Sequence, residues 1–128
     1  MPEVIARMYD SLERGDFTTF DTCFTLDARI WHNMDEQVQS MSDAKVALRQ
    51  LVQISNAVRY KERRRVQVGN VVFLQHVLTA ELKSGDTMRL PAIMRVELSD
   101  DGKIHWIEEY FDSRHLDVAM KSVGAASQ

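Results

Sequence analysis

From Val58 the sequence takes a period of two and holds it to Asp112, in runs separated by short turns. Neighbouring side chains on a strand point to opposite faces, so this alternation marks strands with one face covered. The first run, Val58 to Val68, carries Arg59, Lys61, Arg63 and Arg65 on one face. Gly69-Asn70 turns the chain. The next run places Val72, Leu74, His76, Leu78, Ala80 and Leu82 in an apolar row that holds one imidazole. Ser84-Gly85-Asp86 turns it again, and Met88, Leu90, Ala92, Met94, Val96 and Leu98 repeat the pattern. Asp101-Gly102 is a hairpin turn, because the glycine tolerates positive φ and the aspartate bonds its own backbone. The last strand follows, rich in aromatic and β-branched residues.

Before Val58 the pattern is mainly helical. Val4, Ile5, Met8, Tyr9 and Leu12 form a stripe at helical spacing. Gly15 closes that helix and Asp16 caps the next, whose face is Phe17, Phe20 and Phe24. Ala28 to His32 reads as a short strand and 34–42 as a polar loop. Ser40 or Ser42 caps a third helix with Ala44, Ala47, Leu48, Leu51 and Val58 on its apolar face and Val52 and Ile54 beside it. The tail from about Val118 is expected to fray. Helices followed by four long strands argue for one α+β domain over 1–128, a curved antiparallel sheet packed on three helices. An apolar internal pocket is a natural by-product of that architecture.

The chain has 128 residues and a net charge of −3, so no global affinity for nucleic acid or for an anionic membrane is expected. No run approaches the roughly 20 apolar residues of a membrane span. Cys23 is the one cysteine, set among Phe20, Phe24 and Leu26, and reads as a small buried hydrophobe. With no signal-peptide pattern at the start, a cytoplasmic protein is expected. The four histidines are scattered, so neither a metal site nor a cofactor is implied. The basic run from Arg59 to Arg65 reads as a solvated outer face, or as ion pairs across a dimer; a patch for phosphate or nucleic acid is the lesser alternative, with nothing else in the chain to support it.

Glu108 and Glu109 are adjacent on the last strand, so one of them must face whatever the sheet covers. A carboxylate there is costly unless it is bonded, paired or useful. Glu109 is the candidate general acid or base; a surface glutamate on an exposed face is the alternative. His76 faces inward on its apolar row, either as a core histidine bonded to a carbonyl or tyrosine or as a partner to Glu109. Glu108 then points outward with Trp106 and Tyr110.

The helix break Leu12-Glu13-Arg14-Gly15-Asp16-Phe17, the strand Asp27 to Asn33, and the close Asp101-Gly102-Lys103-Ile104 through Glu109-Tyr110-Phe111-Asp112 resemble the NTF2-like superfamily, nearest its SnoaL-like and limonene-epoxide-hydrolase-like branches. The resemblance covers residues 3–116. It implies a cystatin-like cone with an internal pocket and a homodimer formed through the sheet, with Trp106 and Tyr110 on the outer face. Trp31-His32-Asn33-Met34 is similar to a Tyr-Gln-Asn-Met segment of the epoxide hydrolases, whose tyrosine and asparagine hold the attacking water. By that likeness Asn33 orients a reacting oxygen, Trp31 walls the pocket, and His32 points away. Glu109 falls where an aspartate stands in those enzymes and where SnoaL-like cyclases carry their acid or base. The third strand departs from the pattern, since Gln75-His76-Val77-Leu78 lacks the arginine and aspartate of epoxide hydrolysis.

These readings lead to an enzyme acting by general acid–base chemistry on a small hydrophobic molecule, of the isomerase, cyclase or lyase kind. Its catalytic residues would be Glu109, His76 and Asn33. Its substrate wall would be Trp31, Tyr9, Leu78, Leu90 and Met94. The alternatives are a ligand-binding protein without chemistry and a dimeric assembly module.

Overall fold

A computed structural model of the chain describes residues 3–126. Helix α1 (Val4–Arg14) starts at Glu3, whose carboxylate accepts from the Ile5 and Ala6 N–H groups. It buries the stripe Val4, Ile5, Met8, Tyr9 and Leu12. It stops at Gly15, whose φ of 68° is the left-handed conformation that glycine adopts without penalty. Asp16 caps the short α2 (Phe17–Asp21), and Ser40 caps α3 (Met41–Gln53). Each cap satisfies a backbone donor that the first helical turn leaves without a partner.

The strands are β1 (Phe24–His32), β2 (Gln37–Ser40), β3 (Ser55–Val68), β4 (Val71–Leu82), β5 (Thr87–Leu98) and β6 (Ile104–Phe111). They form one curved, unclosed sheet in the order β2-β1-β6-β5-β4-β3. Pairing is antiparallel throughout except between β1 and β6, which run parallel. The even-numbered rows of β4 and β5 face inward and are almost wholly buried. They join α1, Phe20 of α2 and Ala44 of α3 in one continuous core. The architecture is α+β, with an antiparallel-rich sheet.

The structure differs from the sequence reading at several points. The expected loop at 34–42 contains β2, an edge strand exposed at every position and held by backbone pairing with β1. With no apolar alternation, it left no pattern to read. Among the described residues there are four α-helices rather than three. The tail expected to fray from about 118 continues from a 3₁₀ turn (Ser113–Leu116) into α4 (Asp117–Ala126). Leu116 and Val118 pack against the core and Ala119 is buried, which ties the segment down.

The basic run is also divided. Lys61 pairs with Val77 and Arg64 with Gln75, so Glu62 and Arg63 together oppose His76. This is a β-bulge, and Glu62 takes the left-handed conformation with φ 55°. Past it the strand changes phase. Arg63 and Arg65 turn to α1 and pair with Asp10, Glu13 and Glu3 instead of continuing an outer basic face.

Candidate functional site: two polar pairs on the concave face

Strand register settles which carboxylate faces in. Glu109 lies opposite Met94 of β5 and beside His32 of β1. Met94 is buried in the core, so Glu109 shares the concave face with it. Glu109 Oε1 stands 3.3 Å from His32 Nε2, and the two side chains are 18% and 14% exposed. The Phe111 ring meets the His32 ring edge-on at 6.0 Å. Glu108 lies on the opposite face, accepting from the Trp106 indole N–H at 3.0 Å with the Arg95 guanidinium 3.8 Å away.

A second polar pair lies deeper. His76 is 2% exposed, and its Nδ1 sits 2.8 Å from the Tyr9 hydroxyl. The Tyr9 and Tyr60 rings stand edge-on to the imidazole, with centroids at 5.3 and 5.0 Å. Burial lowers the His76 pKa, against the Glu109 charge that raises it, and the Arg63 charge lowers it further. Burial likewise pushes the Tyr9 and Tyr60 hydroxyls well above the usual phenol range. Both phenols therefore keep their protons and the imidazole favours its neutral form. A Tyr9 O–H donated to Nδ1 then leaves the imidazole proton on Nε2. The charge of Glu109 acts on Tyr9, Tyr60 and His76 alike, which ties the two pairs into one electrostatic neighbourhood.

Two of the expected site residues lie elsewhere. Trp31 stands on the outer face, its ring 5.3 Å from that of Tyr110, and does not wall the interior. Asn33 holds backbone: its Nδ2 donates to the Phe111 carbonyl at 3.1 Å, and its Oδ1 accepts from the Phe111 N–H at 3.0 Å. That side chain extends the β1–β6 ladder by one step and is not aimed at a reacting oxygen. His32, expected to point away, faces in. The signal for it was present in Ala28 and Ile30, the buried alternate residues of β1, which set the phase that carries 32 inward. Leu78, Leu90 and Met94 are buried beside Tyr9 in the common core. Among the described residues no group of three or more His, Cys, Asp or Glu is arranged to hold a metal ion. Nor is any helix among them long and apolar enough to cross a membrane.

A family model described as SnoaL-like domain matches residues 5–107, and the chain belongs to that family. Solved structures agree in fold. AclR of Streptomyces galilaeus, described as a candidate hydroxylase, is 13% identical, with a TM-score of 0.78 over 92% of each chain. PrhC of Penicillium brasilianum is 10% identical, with a TM-score of 0.79 over 97% of this chain and 87% of its own. A candidate polyketide cyclase from Xanthomonas campestris is 15% identical, with a TM-score of 0.74 over 90% of this chain and 92% of its own. At such identities the likeness is one of fold. No curated protein matches the sequence.

Proposed function

We propose that the protein is an acid–base enzyme acting on a small, largely hydrophobic carbonyl compound, of the isomerase, cyclase or lyase kind. The observation that carries the reading is the contact between Glu109 and His32 on the concave face, with both side chains partly open to solvent above a buried apolar floor. A carboxylate within reach of a substrate carbon is a competent general base. In this reading Glu109 accepts a proton from the carbon beside a carbonyl, and the electron pair moves onto the carbonyl oxygen. The acid so formed returns the proton at another carbon, which isomerises the substrate. Alternatively, the enolate carbon adds to a second carbonyl within the molecule and closes a ring; that C=O π bond becomes an alkoxide, which takes the proton back from Glu109. His32 orients Glu109 and steadies its charge. His76, neutral and held by Tyr9, offers its Nε2–H to the developing oxyanion. Leu78, Leu90 and Met94, buried in the core on the same face, would supply the apolar surface against which the substrate lies.

The family membership and the candidate polyketide cyclase among the similar folds support this class of chemistry. A cytoplasmic setting fits the free, buried Cys23. The test is hydrogen exchange. Small cyclic ketones and enones are incubated with the protein in D₂O and followed by proton NMR. The reading expects catalysed deuterium uptake at the carbon beside the carbonyl for at least one compound that binds. Binding without uptake across the panel would favour a ligand carrier of the same fold.

The outer face supports a second proposal, a homodimer formed through the sheet. Phe73, Ile93 and Tyr110 are about half exposed there; Ile93 and Tyr110 border a hollow of about 340 Å³ that also takes in Val77 and Pro91 and reaches His76 at its base. Trp106, expected to lead this surface, already spends its indole N–H on Glu108. Tyr110 and Ile93 are the exposed anchors.

A further inference from the structure

Arg63 occupies a place that a regular strand would deny it. Unbroken alternation would put it beside Arg59 and Lys61 on the outer face. The bulge at Glu62 and Arg63, opposite His76, turns it to the helix side instead. There its Nη1 meets Asp10 at 3.1 Å and its Nη2 meets Glu13 at 3.2 Å. Its Nε donates to the Tyr60 carbonyl at 3.0 Å. Its guanidinium lies 4.7 Å from the centroid of the Tyr9 ring. Glu13 in turn accepts from the Tyr60 N–H at 2.7 Å. One ion pair thus grips both backbone groups of Tyr60 while stacking on Tyr9. These are the two rings that flank His76.

We propose that Arg63 is a positioning residue for the acid–base site, holding Tyr9 and Tyr60 against His76 and setting a positive charge opposite Glu109. What the site does rests on the functional reading above; how it is held does not. The groups facing His76 are Tyr9 from α1, Tyr60 and Arg63 from β3, and Glu109 from β6, with His32 of β1 behind Glu109; Glu62 and Arg64 of β3 and Tyr110 of β6 line the outer hollow that also reaches it. Arg65 adds positive charge near Tyr9. Asp10 and Glu13 neutralise part of Arg63 from the helix side. Among these, Arg63 is the cation that acts on His76 against Glu109. A planar guanidinium can donate to a carboxylate pair and a carbonyl while stacking on a ring, and a lysine ammonium cannot do all of this at once.

The experiment is an NMR titration of the His76 imidazole in ¹⁵N-labelled protein, for wild type, Arg63→Met and Arg63→Lys, with Tyr9 and Tyr60 ring shifts recorded alongside. Removing a nearby positive charge favours imidazolium. Arg63→Met should therefore raise the His76 midpoint by about half a unit to one unit. Arg63→Lys should leave the midpoint nearer wild type but move both tyrosine ring signals, because the grip on Tyr60 is lost. A folded Arg63→Met protein with an unmoved midpoint overturns the proposal. If that variant does not fold, unmoved tyrosine signals in Arg63→Lys overturn it. The titration uses no substrate, so its failure leaves the role of Glu109 standing. Loss of the Glu109 role would equally leave this result standing.

Discussion

His76 carries a pH dependence that can be worked out from its surroundings. Burial holds its folded-state pKa below the ordinary value of about 6.5. The unfolded chain therefore binds the proton more readily than the folded one. By linkage, the stability tied to this group is whole above about pH 6.5 and is lost as the pH falls through the lowered folded value. Thermal melts from about pH 7.5 down to about pH 5 should show Tm falling on the acid side. His76→Asn keeps an acceptor for the Tyr9 hydroxyl and cannot titrate, so it should flatten that part of the curve. An equal acid slope in both proteins would contradict the placement. Asn33 makes the opposite point at the same scale. Its amide is taken up on both sides by Phe111, so its value to the protein is structural even though it stands next to His32, the contact partner of Glu109.

Elements fix which residues can meet, and here the sequence was legible to different degrees. The inward rows of β4 and β5 could be read from alternation alone, since burial on one face leaves no other phase available. On that basis His76 was visible as an inward residue, and Glu109 as one of two choices. β1 was harder. Its bulky Trp31 suggests an inward side chain, but Ala28 and Ile30 hold the core phase and the tryptophan finds Tyr110 outside. The bulge in β3 could not be read at all, because one inserted residue in a charged run leaves no apolar signature. It moves Arg63 from solvent to the site. The α1–α2 junction was plain in the sequence and gives a sharp prediction. At Gly15 a Cβ would need the left-handed conformation and would come within 3.2 Å of Val52 Cγ1. Gly15→Ala should destabilise the fold by about 1–2 kcal/mol, read as a lower urea midpoint at unchanged slope. A midpoint equal to wild type would show that the cap conformation is not required.

At the scale of the molecule, the two faces of one sheet have separate proposed roles. The convex face leaves Phe73, Ile93 and Tyr110 about half exposed, an apolar surface suited to a second copy of the chain. Light scattering should give a dimer mass for wild type and a monomer mass for Tyr110→Glu combined with Ile93→Glu. A monomeric wild type would remove the assembly proposal and leave the concave face untouched. That face carries the central claim, that an inward carboxylate beside His32 moves a proton on a bound apolar molecule. The most direct test is deuterium uptake by a bound ketone, compared between wild type and Glu109→Gln at equal ligand occupancy. The account predicts a rate about 10²–10⁴-fold lower in the variant with affinity little changed. Uptake at the wild-type rate in Glu109→Gln would contradict it.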